Sequence, residues 1–257
     1  MKLTQVAAQL YTLRDQMKTP RDIVRGLRRL REIGYRAVQV SGIGPMPAAD
    51  LRRAMDDEGI ACCATHEPGE TILKQPDLVA ERLGVLGCRV VAFPYPGGVR
   101  LASADDVSEF AKRLDGAGRA LAQAGITLCY HNHQIEFRRV EGVTILERLF
   151  AATNPGWLQA ELDTYWVQYG GGDPVDWCRR MAGRLPTLHL KDYAINAAHE
   201  AVFAEVGAGN LNWPAIIRAA DEAGCRWFIV EQDRCPGDPF DSLRQSLAFI
   251  QERLCSG

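Results

Sequence analysis

Short apolar runs recur along the chain, and six of them begin directly after a glycine that closes an amphipathic stretch. Gly34 precedes Tyr35-Arg36-Ala37-Val38-Gln39-Val40, Gly59 precedes Ile60–Thr65, and Gly87 precedes Cys88–Phe93. Gly125 precedes Ile126-Thr127-Leu128-Cys129, Gly183 precedes Arg184–His189, and Gly224 precedes Cys225–Val230. A glycine in that place suits the left-handed residue that ends a helix, and a run of four to seven mostly apolar residues suits a buried strand. Thr4–Leu10 and Leu158–Leu162 complete a set of eight strand candidates.

The intervening stretches carry helix starts. Thr19-Pro20, Asp173-Pro174 and Asp238-Pro239 each set a capping side chain before a proline at the first helical position, and Ser103 stands three residues before Asp106 in a loose capping box. Strands alternating with helices imply a parallel sheet. Eight units spaced by roughly 25–35 residues match a (β/α)8 TIM barrel, with a doubly wound open sheet as the runner-up. No linker or composition shift divides the chain, so residues 1–257 are expected to form one α/β domain.

Composition narrows the options. With 30 Lys+Arg against 32 Asp+Glu, the formal net charge is −2. That balance disfavours a nucleic-acid binder, and the run Arg25-Gly26-Leu27-Arg28-Arg29-Leu30-Arg31 reads as a solvated helix face. Neither a signal-peptide core nor a membrane-length apolar stretch is evident, and the eight cysteines contain no CxxC pair. A cytoplasmic protein with reduced core thiols is expected. Pro96-Gly97-Gly98 and Gly170-Gly171-Gly172 fit neither the dinucleotide nor the P-loop pattern.

The chemistry concentrates where the apolar runs end. Tyr130-His131-Asn132-His133-Gln134-Ile135-Glu136-Phe137 places two of the chain's five histidines and a carboxylate just after the fifth strand. Period-two geometry sets His131 and His133 on one face. Thr65-His66-Glu67 ends the third strand, Asp163 the sixth, His189 with Lys191 and Asp192 the seventh, and Glu231 with Asp233 the eighth. In a barrel these ends surround one site. Any one of these histidines alone would be more simply read as structural. Acids and imidazoles converging from several strands are what a divalent metal site requires, because buried charges are costly unless paired or metal-bound.

These residues resemble the sugar phosphate isomerase/epimerase family, the metal-dependent TIM barrels related to xylose isomerase. The matching segments are Gln9-Leu10-Tyr11-Thr12-Leu13-Arg14-Asp15, Tyr130–His133 with Glu136-Phe137, and Leu162-Asp163-Thr164-Tyr165-Trp166. Gly183-Arg184, His189-Leu190-Lys191-Asp192, Glu205-Val206-Gly207 with Gly209, and Val230-Glu231-Gln232-Asp233 continue the match. The resemblance implies one divalent cation, Mn²⁺ first and Mg²⁺, Co²⁺ or Zn²⁺ as alternatives, held by Asp163, His189 and Glu231. For the remaining ligand, family epimerases use a glutamate near the end of strand five, where this chain carries His131; Glu136 is taken as the ligand, with His131 or His133 as the alternative.

The resemblance further implies abstraction of the proton next to a carbonyl of a sugar, keto-sugar or sugar phosphate, through an enediolate. His131, His133, Glu231 and Lys191 are the catalytic candidates, and His66, Trp166 and Glu205 the substrate-binding ones. Plainer alternatives stand beside three of them: an ion pair of Lys191 with Asp192 or a neighbouring acid, packing for Trp166, a surface position for Glu205. Histidines at strand five leave room for a dehydratase or lyase acting on a keto-inositol or 3-keto-glycoside. An endonuclease IV-like nuclease and a non-catalytic sugar-binding barrel rank below these. The expected partner is a small carbohydrate rather than nucleic acid or membrane, and a homodimer is a family-level expectation.

Overall fold

The computed structural model describes residues 1–255. Eight parallel strands form the barrel: β1 Val6–Gln9, β2 Ala37–Val40, β3 Ala61–His66, β4 Val90–Phe93, β5 Thr127–His131, β6 Leu158–Asp163, β7 Thr187–Leu190 and β8 Trp227–Val230. Each pairs with its sequence neighbours, and β1 closes the barrel on β8 with Val6 opposite Phe228 and Ala8 opposite Val230. The open-sheet alternative is thereby excluded. The first strand starts later than its apolar run suggested, because Leu3–Gln5 form a 3-10 turn.

The helices follow their sequence signals. Thr19 accepts from the Asp22 amide ahead of α1 (Pro20–Ile33), and Ser103 and Asp106 cap each other's backbone ahead of α5 (Ala104–Gln123). Asp173 and Asp238 cap helices that start at Pro174 and Pro239. Gly87 and Gly125 adopt φ of 67° and 71°, where an L side chain would be strained, and each turns the chain directly toward the next strand. On α1, Arg25, Arg28 and Arg29 pair with Asp22, Glu58 and Asp238. Each of the eight cysteines is unpaired.

Strand alternation divides the core in two. Leu128, Tyr130, Leu158, Ala160, Leu162, Leu188, Leu190, Phe228 and Val230 face outward into the large cluster between sheet and helices. The residues between them face the barrel axis. Its floor is small and apolar: Ala7, Ala37, Cys63, Ala64, Val90, Ala92, Cys129 and Ile229. Above that floor the same inward parity brings Gln9, Gln39, His131, Glu161, Asp163 and His189, all buried. The apolar packing therefore fixes which side chains reach the C-terminal mouth.

Candidate active site

Three strand ends supply the centre of the mouth. Asp163 ends β6 and caps the following helix α7 (Thr164–Tyr169): its Oδ1 accepts from the Trp166 amide at 3.0 Å. Its own amide donates to Asn132 Oδ1 at 3.1 Å. Oδ2 is left buried without a hydrogen bond, 2.9 Å from Lys191 Nζ. The Thr164 hydroxyl, within hydrogen-bond distance of the carbonyls of His189 and Lys191, ties α7 to the end of β7.

His189 stands between two carboxylates. Its Nδ1 lies 2.7 Å from Glu231 Oε2 and 3.9 Å from Asp163 Oδ2. Its Nε2 lies 2.7 Å from Gln39 Oε1 and 3.2 Å from Glu161 Oε1. Burial alone would lower its pKa, but the charges of Glu161 and Glu231 outweigh it and carry the imidazole up to about 10. Lys191 Nζ lies 2.8–2.9 Å from Asp163, Glu231 and Asp233. Burial opposes its charge too, yet the three carboxylates hold it well above the usual lysine range. Asp163 is pushed up to about 6, chiefly by burial.

Glu161 is the residue that sequence reasoning passes over. It lies two positions before Asp163 on β6, so it shares the inward face. Its Oε1 is 2.6 Å from His66 Nε2 and 3.6 Å from His131 Nδ1. Its Oε2 accepts from Gln39 Nε2 at 2.9 Å, and Gln9 Nε2 donates to Gln39 Oε1 at 2.8 Å. Burial would raise its pKa, but His189 and His66 hold it well below the usual carboxylate range. The available signal was the period of two back from Asp163.

A cavity of about 510 Å³ opens above this cluster. His66, His131, His133, Trp166, Lys191, Glu231 and Asp233 line it together with Tyr11, Arg14, Tyr95 and Phe203. His133 Nδ1 and Trp166 Nε1 are buried there without hydrogen-bond partners. Burial first, and then the charge of Lys191, bring His133 down to about 3, so its ring is neutral.

Two expectations change, for Glu136 and Glu205, and the Lys191 alternatives are resolved. Glu136 does not join the cluster: Tyr130 faces outward and donates to Glu136 Oε1 at 2.7 Å, while Oε2 accepts from the His133 amide at 2.8 Å. Both oxygens are committed outside the barrel wall, and the strand-five side chain that reaches the cluster is His131. Lys191 takes the ion-pair alternative with other acids, Asp163, Glu231 and Asp233, and not with Asp192, whose carboxylate accepts from the amides of Gly207, Gly209 and Leu211 and from Trp213 Nε1. A Cβ at Gly209 would lie 2.4 Å from Asp192 Oδ1, so the glycine lets this loop close around the carboxylate. Glu205, expected at the substrate, instead accepts from the Ser242 hydroxyl at 2.6 Å, on α10 (Pro239–Arg253).

Two overlapping groups could hold a cation: His131, Asp163, His189 and Glu231, and His66, His131, Glu161 and His189. In each, the candidate ligand atoms lie within 4.8 Å of one another.

Residues 27–253 match the family model described as xylose isomerase-like TIM barrel. The chain belongs to this family. Among relatives, the rhizopine catabolism protein MocC of Rhizobium meliloti is 25% identical over 245 aligned positions, covering 82% of this chain and 74% of its own. An inosose dehydratase of Geobacillus kaustophilus is 28% identical over 263 aligned positions, covering 87% of this chain and 85% of its own. A solved sugar phosphate isomerase/epimerase from Parabacteroides distasonis superposes with a TM-score of 0.84 at 25% identity, covering 97% and 94% of the two chains. Proteins similar to this chain thus include isomerase/epimerases and dehydratases. Among the described residues no helix is long and apolar enough to cross a membrane.

Proposed function

We propose that the chain is a metal-dependent sugar isomerase or epimerase that removes the proton next to a carbonyl of a sugar, keto-sugar or sugar phosphate. The observation that carries this reading is the junction at one barrel mouth of a buried carboxylate–imidazole cluster with a cavity walled by a histidine whose Nδ1 is unengaged.

The residues fit a divalent cation. Three buried acids, Glu161, Asp163 and Glu231, face the charges of Lys191 and His189, while Asp163 Oδ2 and His131 Nδ1 lack hydrogen bonds. Such an excess of buried negative charge calls for a further cation. Asp163, His189 and Glu231 would hold it, with His131 in reach, and a set of oxygens with imidazole suits Mn²⁺. When bound, the cation supplies Lewis acidity toward a carbonyl and a neighbouring hydroxyl oxygen.

The chain's own residues then divide the work. His133 is the base on geometric grounds: it lines the cavity and its Nδ1 is unengaged. Glu231 is less suited to that task, because Lys191 and His189 both bind its carboxylate. Lys191, fixed by three carboxylates, balances negative charge that develops on the substrate oxygen. Trp166 offers an indole face to the sugar ring and a free Nε1 to a hydroxyl. His66 lines the wall near strand three and contacts the substrate from there.

A second reading, a dehydratase on a keto-inositol or 3-keto-glycoside, rests on His131 standing where a second carboxylate would make the site symmetric. A proton removed by His133 could then be followed by departure of a β-hydroxyl as water. Incubation of Mn²⁺-loaded protein in D₂O with ketoses and keto-inositols, followed by NMR, separates the readings. Deuterium uptake at one carbon with the skeleton unchanged, or with inverted configuration, supports the first. Loss of water to a conjugated enone supports the second. No exchange with any substrate in the panel sinks both.

A further inference from the structure

We propose that Cys62 and Cys88, at the end of the barrel opposite the mouth, are a redox-active thiol pair that a hydroperoxide converts to a disulfide joining β3 to the start of β4. The proposal involves none of the groups at the mouth and does not depend on the assigned reaction.

The strands bring the two thiols together. β3 and β4 pair in parallel with Thr65 opposite Val91, and counting back three residues on each brings Cys62 beside Cys88. Neighbouring strands lie about 4.7–4.9 Å apart, inside the about 4.4–6.8 Å Cα spacing of disulfides. Both side chains pack in the outer cluster between sheet and helices. Each thiol makes the same bond along its own strand: Cys62 Sγ lies 3.4 Å from the Ala64 carbonyl oxygen, and Cys88 Sγ 3.3 Å from that of Val90. The two thiols are also hydrogen-bonded to each other. Cys63 does not compete, because it is the extra residue where the β2–β3 register shifts and it packs in the apolar floor.

The surroundings suit a reactive pair better than core thiols. Cys62 is partly exposed and lines a cleft of about 320 Å³. Arg52 of α2 (Ala48–Asp57) reaches into the same cleft, where Nη1 donates to the Leu86 carbonyl at 3.1 Å and Nε to Asp56 Oδ2 at 2.7 Å. A Cβ at Gly87 would collide with that guanidinium, so the missing side chain admits a cation beside the thiols. The hydrogen bond from Cys62 draws the Cys88 thiol below its ordinary value against burial, whereas the other seven cysteines are raised, Cys62 first by the same bond. One thiol of the pair therefore loses its proton readily while the other keeps one to give.

The chemistry then runs in two steps. The Cys88 thiolate attacks one oxygen of the hydroperoxide; an S–O bond forms, the O–O bond breaks, and the other oxygen leaves with a proton as water or an alcohol. The Cys62 sulfur attacks the resulting sulfenic acid; an S–S bond forms, the S–O bond breaks, and the hydroxyl departs as water with the Cys62 proton. Two electrons pass from the thiols to the peroxide, and a dithiol reductant reverses the change.

Full-length protein treated with hydrogen peroxide, quenched with catalase, denatured in iodoacetamide and digested with trypsin tests this by mass spectrometry. Peptides Ala54–Lys74 and Leu83–Arg89 should be recovered joined through Cys62 and Cys88, and dithiothreitol should separate them. Cys63→Ala should link as wild type does. Cys62→Ala should lose the link and leave Cys88 as a sulfenic acid that dimedone labels. If Cys62→Ala fails to fold by circular dichroism, Cys62→Ser carries the same measurement. Cys62 and Cys88 both alkylated after peroxide treatment overturn the proposal. So does a link that runs through Cys63, or an unlabelled Cys88 in the Cys62 variant.

Discussion

The floor and the rim of the barrel interior come from the same strands and the same inward parity, yet they differ in almost every property. On β5, Cys129 belongs to the floor and His131, two residues on, to the rim; on β1 the corresponding pair is Ala7 and Gln9. The floor is filled by alanine, cysteine, valine and isoleucine, which need no partners and set the width of the barrel. The rim is a connected polar layer in which Gln9 holds Gln39, Gln39 holds Glu161 and His189, and His189 holds Glu231. One step of two residues along a strand thus separates a packing role from a chemical one. Substitutions in the rim should therefore change metal binding and turnover while the fold persists, and substitutions in the floor should do the reverse.

The largest expected effect is that of Asp163→Asn. Asparagine still caps α7, so folding should survive. Metal affinity should fall by more than the about 10- to 100-fold typical of losing an outer-shell partner, and turnover should go with it. Wild-type affinity in this variant, measured by calorimetry, would remove Asp163 from the site. Next in size is His133→Ala, for which kcat should drop by about 10²- to 10⁴-fold with metal content unchanged. Retained turnover would pass the base role to Glu231 or His131.

This contrast also explains what could be read in advance. Glycine-terminated helices, proline-marked starts and apolar runs delimit all eight strands, because the backbone rules behind them are local. Asp163, His189 and Glu231 stand out because each ends an apolar run. Glu161 is hidden by its place inside the Leu158–Leu162 run, whose end draws attention to Asp163 instead. Glu136 misled for the opposite reason: it is close to the motif in sequence, but the chain turns into the 3-10 segment Gln134–Phe137, and its carboxylate meets the outward-facing Tyr130. Side-chain direction, set by strand parity, decided both cases.

Glu136 gives the contrast a pH dimension, because it is buried just outside the wall rather than in the rim. Burial pushes its carboxyl up to about 7, against the hydrogen bonds from Tyr130 and the His133 amide, from an ordinary value of 4.5. A carboxyl raised in the folded state binds its proton more tightly there than in the unfolded chain. Its contribution is therefore fully present below about pH 4.5 and is lost as pH rises to about 7. That difference corresponds to about 3 kcal/mol at about 1.4 kcal/mol per pH unit. Urea denaturation at pH 5 and pH 8 should show wild type losing more stability than Glu136→Gln across this window. Equal losses in the two proteins would show that Glu136 ionises in the fold without cost.

The smallest effect tests the floor. Ala7 is fully buried on β1 between the neighbouring strands, opposite Ile229 of β8, within a layer of small side chains. Leucine there adds three carbons where the barrel has no slack, and overpacking of this kind costs about 1–3 kcal/mol. For a domain of this size each kcal/mol lowers Tm by about 2–4 °C. Ala7→Leu should thus melt a few degrees early by calorimetry while binding metal with wild-type stoichiometry, because Gln9 and the layer above it keep their partners. A loss of metal at unchanged Tm would mean that floor and rim are not separable, and that strain at the bottom of the barrel is passed along the strands to the polar layer rather than absorbed where it arises.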